Sequence, residues 1–145
     1  MKKIILLAVV AALLLLAFAS ATGSKVYLPI QAKQFQTKTV RYSHDFYNAT
    51  TYLGTISLEG DVSWNGIFVW CKNFTLSGDF TASPGLTYEN HLVSCDPKGE
   101  GHTWRVTQHA SADLYYLGKF IERHVIECFT YYYGDTICTA YIDAK

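Results

Sequence analysis

The stretch C-F-T-Y-Y-Y-G-D-T-I-C, residues 128–138, carries the most specific structural signal of the chain. It fits two strands joined by a three-residue loop, with Gly134 at the left-handed position. That register places Cys128 opposite Cys138. Counted back from the loop, this is a non-hydrogen-bonded pair, the type whose side chains approach most closely. The stretch therefore predicts an antiparallel hairpin closed by a Cys128–Cys138 disulfide.

The chain has four cysteines, and the hairpin leaves Cys71 and Cys95 for a second bridge. The two other pairings of four cysteines stay open, because connectivity does not follow from sequence alone. An even count without a close C-x-x-C spacing predicts disulfides rather than a zinc site or a redox pair.

The clearest alternation of apolar and polar residues runs from Ile56 to Trp64. Gly60 falls in the apolar phase, which predicts either a bulge in one strand or a tight turn at residues 59–61. Loops are expected at residues 43–51, 77–79 and 82–85, and a turn at 64–67. Further strands are expected at residues 26–30, 37–42, 67–76, 88–95, 103–107, 124–133 and 136–142. In the strand at 103–107, alternation predicts that Trp104 and Val106 are buried.

One short helix is expected after Ser111, which fits an N-cap. Four apolar residues between 114 and 125 fall near helical spacing, and Gly118 limits the helix to two or three turns. The predicted fold class is all-β: an antiparallel β-sandwich that contains this one short helix and is cross-linked by two disulfides.

The N-terminus has the three parts of a secretory signal peptide. Lys2 and Lys3 precede an apolar run from Ile4 to Ala19, and residues 19–21 offer a small-residue cleavage site. The run is shorter than the ~20 residues of a membrane span. Residues 1–21 are therefore predicted to be a signal peptide and residues 22–145 a single secreted β-sandwich domain, with no membrane association after cleavage.

Two further features bear on an extracellular address and on partners. Asn48-Ala49-Thr50 and Asn73-Phe74-Thr75 fit the acceptor pattern for N-glycosylation. After the two signal lysines are removed, acidic residues exceed basic ones by two, and no basic stripe is present. Nucleic acid is therefore not expected as a partner.

The alternative interpretation, that the protein is an enzyme, depends on its histidines. His44-Asp45 with His91 or His124, plus Lys119 or Arg123, would supply a two-histidine acid–base site of the secreted ribonuclease kind. No H-x-x-x-H pair and no G-x-S-x-G elbow is present. The plainer interpretation is that these are solvated or hydrogen-bonded histidines, with no catalytic, metal or cofactor role.

The tyrosines of the hairpin loop are the predicted contact surface. Tyrosine presents a rigid apolar ring with a polar tip, which suits recognition of proteins and glycans. Tyr132 and Tyr133 are the predicted binding residues, and the alternative is that Tyr131 packs in the core beneath them.

Two segments resemble the nematode transthyretin-like family of small secreted proteins. Residues 73–78, N-F-T-L-S-G, are similar to that family's G-N-F-x-L-x-G stretch, and residues 91–96, H-L-V-S-C-D, are similar to its Y-H-x-C-D segment. Trp64 stands where an early C-N-G motif has its cysteine, and the spacing between the first two motifs is shorter than in the family. The resemblance implies a prealbumin-like sandwich of seven or eight strands, an extracellular location and no catalytic residues.

These observations predict a secreted, disulfide-stabilised and glycosylated binding module without catalytic activity or cofactor. Its expected partner is an extracellular protein, a glycan or a small apolar ligand, and self-association as a homo-oligomer stays open. The alternatives are the ribonuclease-like hydrolase and an assembly subunit that donates residues 22–38 to a neighbour's sheet.

Overall fold

The computed structural model describes residues 34–97 and 103–144. They form two antiparallel four-stranded sheets that pack face to face. The strands are β1 (Gln36–Asn48), β2 (Thr51–Trp64), β3 (Val69–Cys71), β4 (Ser77–Ala82), β5 (Leu86–Asp96), β6 (Arg105–Tyr116), β7 (Lys119–Tyr131) and β8 (Thr136–Asp143). The predicted antiparallel sandwich is confirmed, and the predicted strand Val26–Ile30 lies outside the described residues.

The first sheet is built on the long β1–β2 hairpin. Strand β2 pairs along its other edge first with β4 and then with β3. Gly60 lies where the partner changes, in an unbroken strand with neither a bulge nor a turn. A Cβ there would lie 2.8 Å from Leu76 Cδ1 and 2.9 Å from Gln108 Nε2, so close packing accounts for the glycine.

The second sheet is a meander in the order β5-β6-β7-β8. The predicted helix after Ser111 is wrong: its residues belong to the β6–β7 hairpin, whose turn is Leu117-Gly118. Both turn residues have positive φ, 49° and 74°, as a type I′ turn requires. The apolar residues that suggested a helix therefore belong to the two strands of this hairpin and to its turn.

Both predicted disulfides are confirmed. Cys71–Cys95 joins β3 of the first sheet to β5 of the second, and Cys128–Cys138 joins β7 to β8 in the predicted register. The buried core between the sheets contains these cysteines and mostly aliphatic side chains, with Ile56, Leu58, Val62, Val106 and Ile126 fully buried or nearly so.

Several predicted boundaries are wrong. Residues 43–48 continue β1 and residues 51–53 begin β2, because cross-strand pairing extends almost to the turn at Ala49-Thr50. Residues 77–79 begin β4 rather than end a strand. The strand expected over 67–76 is only Val69–Cys71, and a 3-10 turn follows at Asn73–Thr75. Within the part of the chain described, no helix has the length and hydropathy to cross a membrane.

Gln108 is a polar side chain inside the core. It is fully buried on β6, between Cys95 on β5 and Cys128 on β7. Within residues 34–97 and 103–144 neither its Oε1 nor its Nε2 has a hydrogen-bond partner. An unpaired buried polar group costs about 1–3 kcal/mol.

Gln108→Met is therefore expected to raise the free energy of unfolding by about 1–3 kcal/mol, because methionine has a similar length and no unpaired polar atom. Urea unfolding of the two proteins measures the difference. An equally stable or less stable variant would show that the amide has a partner in solution.

Candidate functional site

An exposed aromatic surface lies at the end of the second sheet where β7 meets β8. We call it the aromatic platform and define it by Trp104, Arg105, Tyr131, Tyr132 and Tyr133. Trp104 is 59% exposed, Tyr133 52% and Tyr132 37%. Single exposed rings are common on protein surfaces, but a contiguous group of them marks an interaction site.

The rings of the platform pack on one another. Tyr131 and Tyr133 are nearly parallel, with centroids 5.5 Å apart, and Tyr132 meets Tyr133 edge-on at 4.9 Å. Trp104 lies 5.9 Å from Tyr131. These contacts restrict the rotamers of each ring, so binding a partner costs little side-chain entropy.

Backbone hydrogen bonds hold the platform on the sheet. Tyr132 N donates to Trp104 O over 2.9 Å, and Gly66 N donates to Tyr132 O over 3.0 Å. Within the loop, Tyr131 N donates to Asp135 O, which is the predicted hairpin register. The loop that carries the tyrosines is therefore held by backbone bonds to two segments that are distant in sequence, one at Gly66 and one at Trp104.

Gly134 lets the loop approach the first sheet. Its φ is +98°, and a Cβ would lie 2.5 Å from Trp64 Cε2. Lys38 Nζ donates to Gly134 O and lies 5.6 Å from the centroid of the Trp64 ring. The glycine predicted at the left-handed position is confirmed, and its contact with the indole explains why no side chain fits there.

A cleft of about 90 Å³ opens beside the platform. Its walls come from Gln34, Gln36, Trp64, Asn65, Gly66 and Tyr133. Pockets for small-molecule ligands usually measure roughly 300–1,000 Å³. The cleft matches one side chain rather than a whole ligand.

Arg105 adds a cation to the aromatic rings. Its guanidinium carbon lies 5.1 Å from the ring centroids of both Trp104 and Phe129. The surroundings raise the pKa of Tyr133, chiefly by shielding the phenol from water and secondarily through the negative charge of Asp135. Tyr133 therefore stays a neutral hydroxyl at physiological pH, able to donate and accept hydrogen bonds.

Two of the histidines proposed for the alternative acid–base site, His44 and His124, pack against the same aromatic ring. His44 meets the Phe46 ring edge-on at 4.8 Å, and His124 stacks on the same ring at 3.9 Å. Phe46 is thus in contact with both imidazoles. His124 is fully buried, so its nitrogens do not reach solvent.

His124 is instead part of a buried hydrogen-bond chain. Its Nε2 lies 2.7 Å from Glu122 Oε1, and its Nδ1 lies 2.5 Å from the Tyr88 hydroxyl. Because a carboxylate only accepts, Nε2 carries the hydrogen, and Tyr88 donates to Nδ1. Burial lowers the pKa of His124, with the hydrogen bond to Glu122 opposing it, and burial raises the pKa of Tyr88.

The other residues of that alternative lie apart. His91 stacks on Phe80 with centroids 4.3 Å apart. Asp45 accepts a hydrogen bond from Thr55 on the exposed face of the first sheet. Arg123 forms a two-point ion pair with Asp113, at 2.6 and 3.1 Å. Lys119 follows the β6–β7 turn.

Both predicted glycosylation sites are on the surface. Asn48 is exposed at the last position of β1, and Asn73 is exposed at the start of the 3-10 turn. Across residues 34–97 and 103–144, no three His, Cys, Asp or Glu side chains are grouped so as to hold a metal ion.

Trp104 is the platform residue that sequence reasoning placed wrongly. Alternation with Val106 predicted that it is buried, but β6 begins at Arg105 and Trp104 lies in the bend before it. Strand periodicity does not apply to a residue outside the strand. In the sequence, Pro97, Gly99 and Gly101 were the signal that Trp104 follows a turn rather than lies within a strand.

Comparison with known proteins finds no matching family model, no matching curated protein and no matching solved structure. The function proposed below therefore rests on the residues and their arrangement.

Proposed function

We propose that this chain is a secreted binding module that recognises an extracellular protein through the aromatic platform. The observation that carries the proposal is the rigid, exposed cluster of Trp104, Arg105 and the three tyrosines. Trp, Tyr and Arg are the residues that most often dominate the energy of protein–protein interfaces. Tyr132 and Tyr133, predicted as binding residues, lie in this cluster.

The shape of the surface favours a protein over the other predicted ligands. The 90 Å³ cleft beside the platform is too small for a whole ligand. Two larger cavities, about 430 Å³ next to Arg105 and about 540 Å³ on the first sheet, are lined mostly by polar and charged side chains, which do not suit a small apolar ligand. The platform with its adjoining cleft instead resembles a hot spot that receives one side chain of a larger partner. A glycan is the remaining alternative, and the test below distinguishes it.

The non-enzymatic part of the proposal is supported by the state of the histidines. His124 is fully buried and held by Glu122 and Tyr88, and Phe46 lies against it. A general acid or base must reach the proton it transfers, directly or through one water. A ribonuclease-like site would require this chain of contacts to open.

Secretion and glycosylation belong to the same proposal. Two disulfides are typical of proteins that fold in an oxidising compartment. Both acceptor asparagines are exposed. The intact mass of protein recovered from a secreting host reports the loss of residues 1–21 and the occupancy of both sites.

A photo-crosslinking experiment tests the platform. The glycoprotein is prepared with p-benzoylphenylalanine in place of Tyr132 and incubated with extracellular fluid of the source organism. We expect one saturable protein adduct, which wild-type protein competes away and which Tyr132→Ala/Tyr133→Ala does not. Truncating a hot-spot residue costs at least about 2 kcal/mol, so competition should weaken roughly 30-fold or more.

Tyr47 is the matched control position. It is 50% exposed, close to the 52% of Tyr133, but it lies at the far end of β1. The same photoprobe at Tyr47 should give no such adduct. The proposal is wrong if adducts form equally at both positions or at neither. Binding of wild-type protein to a glycan array that is lost in Tyr132→Ala/Tyr133→Ala would replace the protein partner by a glycan.

A further inference from the structure

The tip of the β6–β7 hairpin breaks a local rule of turn chemistry. A type I′ turn needs positive φ at both central positions and favours Asn-Gly or Gly-Gly. Here the first position is Leu117, with φ 49°, followed by Gly118 with φ 74°. A bulky residue in the left-handed region is strained, and such strain persists where function requires the side chain.

The strained leucine contributes nothing to the core. Leu117 is 82% exposed, and the neighbouring apolar residues Tyr116, Phe120 and Ile121 are 52%, 38% and 44% exposed. A Cβ added at Gly118 would meet no atom within 4 Å, so the turn projects into open space. An asparagine would fit the same backbone with less strain and no exposed apolar surface.

The apolar side chains lie on both faces of the hairpin. Tyr115 is paired with Phe120, and Tyr116 with Lys119. Successive residues of a strand point to opposite faces, so the first pair lies on one face and Tyr116 on the other. A flat protein partner would cover one face only, whereas an apolar medium that surrounds the tip covers both.

The charge at the hairpin tip also favours a lipid surface as the partner. Lys119 is exposed, and it is the only charged residue from Tyr115 to Ile121. An apolar apex, flanking aromatic rings and a nearby lysine match the layers of a membrane interface, where aromatic side chains and lysine lie at headgroup depth. A basic side chain at that depth is attracted to anionic lipid.

In contrast to the expectation from the sequence that the cleaved protein does not associate with membranes, we propose that the tip of the β6–β7 hairpin inserts into the headgroup region of an anionic lipid bilayer, with Leu117 at its apex. The site is independent of the aromatic platform, because Arg105 and Tyr116 are at opposite ends of β6, about 36 Å apart at the rise of a strand. A bilayer-bound molecule presents the platform away from the lipid.

Vesicle flotation tests the insertion. The secreted glycoprotein is mixed at low ionic strength with vesicles of phosphatidylcholine alone or with one quarter phosphatidylserine. We expect wild-type protein to float with the anionic vesicles and more weakly with the neutral ones. Leu117→Asn should lower the partition coefficient at least 10-fold, and Lys119→Gln should remove the preference for anionic lipid.

Leu92→Asn is the matched control, because Leu92 is an exposed leucine of β5 far from the tip, 52% accessible. It should float as wild type does. A thermal melt gives a second readout: Leu117→Asn should melt about 3–6 °C higher, since asparagine adopts positive φ more readily. A purely structural leucine would give a lower melting temperature.

Any one of three results would overturn the proposal. The first is that wild-type protein floats with neither kind of vesicle, and the second is that Leu117→Asn floats as well as wild type. The third is that a photoprobe at position 117 crosslinks to a protein rather than to lipid. The last result would assign the tip to a protein partner. Failure here leaves the platform experiment unaffected, because the two use different variants.

Discussion

Removing the bridge between the sheets by Cys71→Ala/Cys95→Ala is expected to lower the free energy of unfolding by about 3.5 kcal/mol. The two cysteines are 24 residues apart and belong to β3 and β5 of different sheets. In the chain-entropy model, a cross-link stabilises by restricting the unfolded chain, and this loop length gives about 3.5 kcal/mol. Urea unfolding at pH 7.5 measures the loss.

The second bridge is a matched control of the same chemistry. Cys128 and Cys138 are 10 residues apart and already paired in one hairpin. The shorter loop predicts a loss of about 2.8 kcal/mol for Cys128→Ala/Cys138→Ala. The order of the two losses is the test: a larger loss for the hairpin bridge would contradict the account in which loop length sets the stabilisation by each bridge.

Replacing His124 by phenylalanine is expected to destabilise the protein by about 2–6 kcal/mol at pH 7.5. Phenylalanine preserves the ring stacked on Phe46 but leaves the Glu122 carboxylate and the Tyr88 hydroxyl without their partner. Each unsatisfied group costs about 1–3 kcal/mol. His91→Phe, at an exposed histidine that also stacks on a phenylalanine and whose one side-chain hydrogen bond, from Nε2 to Tyr88 O, water can replace, should change stability by about 0.5 kcal/mol or less.

The same histidine gives the protein a pH dependence. Burial lowers the pKa of His124 in the folded protein. As the pH falls below about 6.5, the unfolded chain takes up a proton that the folded protein does not yet bind, so stability decreases. The slope is at most about 1.4 kcal/mol per pH unit and ends at the folded-state pKa.

Unfolding curves at pH 7.5, 6.5 and 5.5 measure this slope. His124→Phe should lose the histidine contribution, and His91→Phe should retain it. A wild-type slope that is identical in His124→Phe would mean that His124 is accessible to protons in the folded state, and the buried hydrogen-bond chain would then be wrong.

Local chemistry explains which parts of the fold were predictable. The 128–138 hairpin was predicted in register because glycine and two cysteines fix it within 11 residues. The pairing of β1 with β2 was not predicted and both strands were predicted too short, since their turn at Ala49-Thr50 uses neither glycine nor proline. The β6–β7 hairpin was mistaken for a helix because leucine occupies a turn position that normally belongs to asparagine or glycine.

The site was predictable only in part for a similar reason. Tyr132 and Tyr133 follow from the hairpin loop, but Trp104 and Arg105 join them through the backbone bond from Tyr132 N to Trp104 O. No periodicity encodes a contact between two loops. The unpaired Gln108 and the buried His124 likewise depend on which strands become neighbours, and local pattern does not specify this.

The measurement that tests the binding module most directly is a titration of the protein captured at position 132 against two single variants. Trp104→Ala removes an exposed ring of the platform, and Tyr47→Ala removes a ring of similar exposure elsewhere, 50% against 59%. We predict that Trp104→Ala raises the dissociation constant about 30-fold or more, while Tyr47→Ala leaves it within about twofold of the wild-type value. Equal affinities for both variants would contradict the assignment of the aromatic platform as the binding surface.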